Sequence, residues 1–166
     1  MLDIKRVNQK VVDSLPKVIN RVQQHVPIAF QTKLLSFALN RFFQQELAAD
    51  RLSFMRGKRI VIKVADCQLA FAIELKQHRL AASFAATDSD LTIIATSKDM
   101  VAMINNQVDP DSLFFRRRLS MSGDTELALY CKNLLDSIGI ERFPAPLARV
   151  LQWLGEQHNQ PTENGI

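Results

Sequence analysis

Hydrophobic positions in the first segment recur at helical spacing. Val7, Val11, Leu15, Val18, Val22 and Val26 fall within an arc of roughly 100° when each residue turns the chain by about 100°. Arg6, Lys10, Lys17 and Arg21 run along one flank of that arc. The pattern predicts a basic amphipathic helix within residues 1–26, split at Pro16, which has no N–H to donate and crowds the preceding turn. Such a helix suits an anionic membrane surface, or packing on its own domain with its cations solvated. Pro27 opens a second helix at the position that tolerates a missing N–H. It is expected to reach about Ala49, with Leu35, Leu39, Phe42, Phe43 and Leu47 on a broad apolar face.

After Asp50 the period falls to two. Leu52–Arg56, Arg59–Asp66, Gln68–Leu75, Arg79–Phe84 and Asp90–Thr96 each read as short strands. Arg56-Gly57-Lys58 and Gln77-His78 read as the hairpin turns of an antiparallel meander. One face of the third run carries Leu69, Phe71, Ile73 and Leu75; the other, Ala70, Ala72 and Glu74, is less polar than a solvated face, so helices are expected to cover part of it. Ser97-Lys98-Asp99 starts a helix holding Met100, Met103 and Ile104. Asp109-Pro110-Asp111 starts another, a single turn with Leu113, Phe114 and Phe115. Arg116–Ser122 alternates as a further strand, and Asp124 is placed to cap a helix from Thr125 to about Ile138, stopped by Gly139. A last helix spans 146–158, with Leu147, Val150, Leu151 and Leu154 on one face, and a polar tail expected to be disordered follows at 159–166.

Composition sharpens this in two ways. Ten Phe stand against one Tyr and one Trp in 166 residues, a bias toward aromatics without a polar handle and hence toward a large or irregular apolar interior. The net charge of +4 is uneven. Residues 1–66 hold twelve basic and five acidic side chains, residues 67–115 three and six, and residues 116–166 six of each. The excess thus sits in the first part of the chain, with a second focus at Arg116, Arg117 and Arg118.

Candidate chemistry is sparse. No apolar run reaches the length of a membrane span, and the first residues lack the apolar core of a secretory signal. Cys67 and Cys131 are far apart and read as free thiols of a reducing compartment. His25, His78 and His158 show no metal-ligand spacing. The five glycines form neither phosphate-cradling motif. The pairs Asp88/Asp90 and Asp109/Asp111 read as caps, and no nucleophile, base and orienting group come together. Arg116–Arg118 fits three roles: a charged edge strand, a nucleic-acid patch, or a clamp on a phosphate-like head group. The Phe and Met residues are core or cavity lining, since thioethers fill irregular space.

The run from Asp109-Pro110-Asp111 through Leu119-Ser120-Met121-Ser122-Gly123-Asp124 to Leu129 resembles the signature of sterol-carrier-protein-type lipid-binding domains, in which an Asp-Pro segment and a strand ending in Gly-Asp precede a helix. That resemblance covers about residues 34–140. Leu113-Phe114-Phe115-Arg116-Arg117-Arg118-Leu119, Gly123-Asp124-Thr125-Glu126-Leu127 and Lys132-Asn133-Leu134-Leu135-Asp136 are more specific. They are similar to a family of bacterial ubiquinone-biosynthesis accessory factors over nearly the whole chain.

The resemblance implies an α/β (α+β) domain: a mostly antiparallel five-stranded sheet with helices around an apolar cavity. It implies a non-enzymatic role without cofactor or metal, binding a lipid or isoprenoid quinone precursor in oxygen-independent ubiquinone synthesis. Two iron–sulfur proteins that carry out the hydroxylations are the implied partners. On this reading residues 27–158 are the lipid-binding domain, with 146–158 as a lid. The expected lining is Phe37, Phe42, Phe43, Phe71, Ile73, Phe84, Met100, Met103, Phe114, Phe115, Leu119, Met121, Leu151 and Trp153. Arg116, Arg117 and Arg118, with Arg6, Lys10, Lys17 and Arg21, are the expected contacts to a head group or an anionic membrane. The role of Gly123-Asp124 is expected to be structural. The expected location is cytoplasmic, peripheral to the inner membrane, and the sequence leaves a homodimer open. Two rivals stand beside this reading: a scaffold with a filled core, and a small basic nucleic-acid binder suggested by the pI near 9.3. The scarcity of Tyr and Trp argues against the second.

Overall fold

The computed structural model describes residues 24–84 and 88–137, together with Lys17 and Arg21. The expectations for residues 1–16 with Arg6 and Lys10, for Gly139, for the helix over 146–158 with Leu151 and Trp153, and for the tail lie outside the described residues.

Among the described residues five strands form one sheet: β1 (Arg59–Val64), β2 (Leu69–Lys76), β3 (Arg79–Ser83), β4 (Leu91–Ala95) and β5 (Ser120–Gly123). Their order is β3-β2-β1-β4-β5. The first three are the meander read from the sequence, with Ile60 opposite Ile73 and Leu75 opposite Leu80. β4 crosses to the other side of β1 and pairs with it in parallel, Ile62 opposite Ile93. β5 closes that edge antiparallel to β4. Because partners in register share a face, Ile60, Ile62, Phe71, Ile73, Leu80, Leu91, Ile93 and Met121 all point to one side. The core is built on that side.

Helices α1 (Ile28–Phe42), α2 (Gln44–Ala48), α3 (Ser97–Ile104), α4 (Pro110–Phe115) and α5 (Thr125–Asp136) surround it. Side-chain caps start three of them. Thr96 accepts from the Asp99 N–H at 3.2 Å, Asp109 from the Ser112 N–H at 2.8 Å, and Asp124 from the Glu126 and Leu127 N–H groups at 3.0 Å each. α1 lies along the edge strand β3. The Asn40 side-chain amide donates to the Leu80 carbonyl at 2.6 Å and accepts from the Leu80 N–H at 2.9 Å, while Ser36 Oγ accepts from the Ala82 N–H at 2.9 Å. These side chains give the edge the hydrogen bonds that a sixth strand would, which removes an exposed template for intermolecular pairing.

Three sequence expectations are corrected. The helix expected over 27–49 breaks at Phe43 into α1 and α2. Leu52–Arg56 is not a strand: Ser53–Met55 is a single 3₁₀ turn, and only Arg56 bridges to Leu75. Three residues per turn bring Leu52 and Met55, at i and i+3, to the same side, and both are buried. A period of two splits that pair between faces. The strand expected over Arg116–Ser122 begins only at Ser120. α4 ends first in a Schellman motif: Arg118 N–H donates to the Leu113 carbonyl at 2.8 Å, and Arg117 N–H to that of Phe114 at 3.0 Å, with Arg117 left-handed at φ 57°. The same closure follows α2 with Asp50 and α3 with Asn106 in the left-handed position. Glycine is the usual marker of this motif, and none of the three carries one.

Candidate functional site

A cavity of about 330 Å³ opens between the apolar sheet face and helices α1, α3 and α5. Each wall follows from periodicity. Leu35, Leu39 and Phe42 sit at i, i+4 and i+7 of α1; Met100, Met103 and Ile104 come from α3; Cys131, Leu134 and Leu135 come from α5. Ile60, Ile62, Ile73, Leu80 and Ile93 form the floor. Among the described residues no charged side chain reaches the lining. An ionisable group on the lining, the Cys131 thiol, is pushed up to about 12 by burial, because a low-dielectric surround disfavours the thiolate. Such a thiol is inert at neutral pH. Among the described residues no cluster of His, Cys, Asp and Glu could hold a metal ion. The site offers apolar contact and space, the chemistry of a hydrocarbon chain.

Asp99, the residue before the cavity-lining Met100, is 2% exposed and is held by Arg118. The guanidinium Nη2 bonds Oδ1, Nε approaches Oδ2 at 3.3 Å, and Thr96 Oγ1 donates to Oδ2 at 2.9 Å. This fixes the start of α3, and with it Met100 and Met103. The three arginines therefore do not form one clamp. Arg118 is committed to Asp99, while Arg116 and Arg117 are exposed.

Of the residues named in the sequence, Phe42, Phe43, Ile73, Met100 and Met103 line the cavity. Phe71 and Met121 are half-buried on the same sheet face, packed against the core rather than on the cavity. Phe84 meets the Phe71 ring edge-on with centroids 6.3 Å apart. Leu119 is buried in the core. Phe37 is 70% exposed and points away from the cavity, and Phe114 and Phe115 stack edge-on against each other in solvent. Lys17 and Arg21 are exposed. Most of the lining that went unchosen in the sequence is aliphatic: Leu35, Leu39, Leu52, Ile60, Ile62, Leu80, Ile93, Leu134 and Leu135, with Met55 and Cys131. The signal for these residues lies in the shared periodic faces of the helices and strands, not in the Phe and Met content.

Asp124, beside the cavity, ties the sheet to α5. It caps the helix and pairs with Lys58 at 3.0 Å. The Leu127 N–H and then the Lys58 ammonium hold its carboxyl below the ordinary carboxylate value. Gly123 just before it has φ 126°, and its Asp124 neighbour donates to the Asp90 carbonyl at 2.8 Å. The Gly-Asp pair is a joint between β5, β4 and α5, a structural role as the sequence led us to expect.

A five-stranded, mostly antiparallel sheet with helices over one apolar face and a hydrocarbon-lined cavity between them is the architecture of a sterol-carrier domain. Residues 39–136 match the SCP-2 sterol transfer family, and the chain belongs to it. Among curated proteins it is 33% identical over 156 residues to the ubiquinone biosynthesis accessory factor UbiT of Escherichia coli (strain K12), covering 94% of this chain and 88% of that protein. UbiT of Escherichia coli O157:H7 gives the same figures. Among solved structures, "UbiJ-SCP2 Ubiquinone synthesis protein" superposes with a TM-score of 0.54 at 19% identity, over 65% of this chain and 95% of that one. The resemblance carried by the Leu113–Asp136 motifs is thus borne out, at the level of the family and of the accessory factor to which the chain is similar.

Proposed function

We propose that this chain is a non-enzymatic lipid-binding accessory factor of oxygen-independent ubiquinone biosynthesis that holds part of the isoprenoid tail of a quinone precursor. The observation carrying this reading is the 330 Å³ cavity, on which no described lining residue is charged, in a family of lipid carriers. Its likeness to UbiT, a ubiquinone biosynthesis accessory factor, supports the pathway in this reading. At roughly 30 Å³ per heavy atom, the share one water takes in the liquid, the space corresponds to about eleven heavy atoms, or two five-carbon isoprene units. Burying about ten such carbons contributes about 8 kcal/mol at about 0.8 kcal/mol per carbon, before the costs of ordering the chain. A soluble carrier that shields the head-proximal part of a tail is physically sufficient. Partner hydroxylating proteins receive the exposed ring.

Delivery from a membrane fits α1, whose Phe30, Leu34 and Phe37 are exposed at i, i+4 and i+7 beside exposed Lys33 and Arg41. An apolar stripe flanked by cations is the form of a helix resting on anionic lipid.

The test is lipid mass spectrometry on protein purified without detergent, alongside a variant whose cavity is filled, Ile93→Trp. The proposal expects a co-purifying isoprenoid or acyl lipid that is depleted in the variant. Absence of any such lipid, with no uptake from vesicles, overturns it and favours a scaffold that assembles its partners without carrying lipid.

A further inference from the structure

A second, polar groove of about 700 Å³ lies on the outer side of the same wall. The segment around the 3₁₀ turn separates the two spaces: Leu52 and Met55 face the cavity, Ser53 and Phe54 the groove. On α5, Cys131 and Leu135 face inward, Tyr130 and Asn133 outward, and Leu134 lines both. One side chain thus stands between a hydrocarbon-lined hole and a hydrogen-bonding groove. That is the juxtaposition an amphiphile requires.

The groove's chemistry narrows the head it fits. Its cations Arg51 and Lys58 are matched by Asp124 and Glu126. Both cations already have carboxylate partners, Arg51 with the buried Glu46 at 3.2 Å and Lys58 with Asp124 at 3.0 Å. Glu126 adds a further carboxylate, so among the described residues no net positive charge is left over to hold a phosphate or carboxylate. The groove does offer an aromatic surface, Phe54 and Tyr130 stacked with centroids 5.3 Å apart and planes 18° from parallel, with Tyr130 46% exposed. It also offers the exposed Asn133 amide and the Tyr130 hydroxyl, groups that donate to and accept from ring oxygens.

We infer that this groove is the head-group subsite of the cavity, and that it takes an uncharged aromatic or quinonoid ring whose apolar tail passes Leu134 into the cavity. The inference rests on the tail-binding reading above and places the head on Tyr130 and Asn133, away from Arg116–Arg118.

Calorimetric titration of the full chain with three amphiphiles that share a ten-carbon tail tests it: a decyl-substituted benzoquinone, decyl phosphate and decanoic acid. Tyr130→Leu and Asn133→Leu, both at exposed positions, are each expected to weaken the quinone about tenfold, the scale of one lost aromatic or polar contact. Decyl phosphate and decanoic acid should stay within twofold, which also shows that the variants fold. Unchanged quinone affinity in both variants overturns the subsite. So does an equal loss for all three probes, or a loss confined to decyl phosphate. No binding of any probe to the unaltered chain overturns the cavity reading itself and this one with it.

Discussion

Gly123→Ala separates a structural Gly-Asp joint from a ligand-contacting one. At φ 126° the residue lies where side chains are rarely accommodated. A Cβ built there stands 2.1 Å from the Asp90 carbonyl oxygen, 3.0 Å from its carbon and 3.1 Å from Leu91 Cα, all backbone atoms. Nothing flexible can yield, so β5 must move off β4 at the pair Leu91–Gly123. The same shift pulls the Asp124 N–H off the Asp90 carbonyl, a 2.8 Å bond. Backbone strain of about 1–3 kcal/mol and a forced shift of about 1–3 kcal/mol are offset by about 0.4–1 kcal/mol from the stiffer unfolded chain. The net destabilisation is about 3 kcal/mol. In a domain of this size that lowers Tm by roughly 6–12 °C. Gly57 is the control: its φ is also positive, at 69°, but nothing lies within 4 Å of its Cβ position, so Gly57→Ala should cost about 1 kcal/mol or less. Urea unfolding followed by circular dichroism measures both. If Gly123→Ala unfolds within 1 kcal/mol of Gly57→Ala, the steric argument is wrong.

Three further outcomes follow from the ties around the cavity. Asp124 has a folded pKa below its ordinary value, so its contribution is present above pH 4 and lost as pH falls through the folded pKa; Asp124→Asn should flatten the acid limb of a stability-against-pH curve, and an unchanged limb refutes the assignment. Asn40→Leu strips Leu80 of both edge hydrogen bonds and should cost about 1–3 kcal/mol, with light scattering revealing aggregation through the freed edge. Arg118→Met leaves the Asp99 carboxylate buried without its cation; with the guanidinium 39% exposed, below the fully buried case, the loss should be about 2–4 kcal/mol. Adding Asp99→Asn to Arg118→Met should recover at least half of it in a double-mutant cycle.

Much of the fold was legible because its elements have clean periods. Arg59–Val64 and Leu69–Lys76 alternate, Asp109-Pro110 and Asp124 cap, and the register follows from the hairpin turns. The parts that were not legible share one cause. Asp50, Asn106 and Arg117 close helices in a left-handed conformation normally marked by glycine, so the chain gives no local sign that the closing turn of α4 takes up Arg116–Arg118 before the next strand begins. The strand expected from Arg116 starts only at Ser120 for that reason. Asp99 and Arg118 are 19 residues apart, and their pairing exists only once α3 and β5 are placed. The polar groove was equally hidden, since Phe54 and Tyr130 are remote in sequence and neither belongs to a motif.

The polar contacts also explain how an apolar hole persists in a folded chain. At about 24 cal/mol per Å³, an empty, dry cavity of 330 Å³ would cost about 8 kcal/mol, comparable to the whole stability of a domain. Hydrophobic contact alone would draw α1, α3 and α5 inward. Each is instead tied by directional bonds outside the lining. Asn40 and Ser36 hang α1 on the edge of β3, Arg118 fixes the start of α3 through Asp99, and Asp124 and Lys58 set the start of α5. None of these groups lines the cavity. Directional ties outside an apolar void hold the walls apart without placing a polar atom within it, so a hydrocarbon tail that fills the space recovers the contacts the helices forgo. Ligand should therefore stabilise the chain by RT ln(1 + [L]/Kd). Cavity-filling Ile93→Trp should raise the stability of the empty protein while abolishing that ligand-dependent rise, whereas a fully packed core would be destabilised by the same substitution.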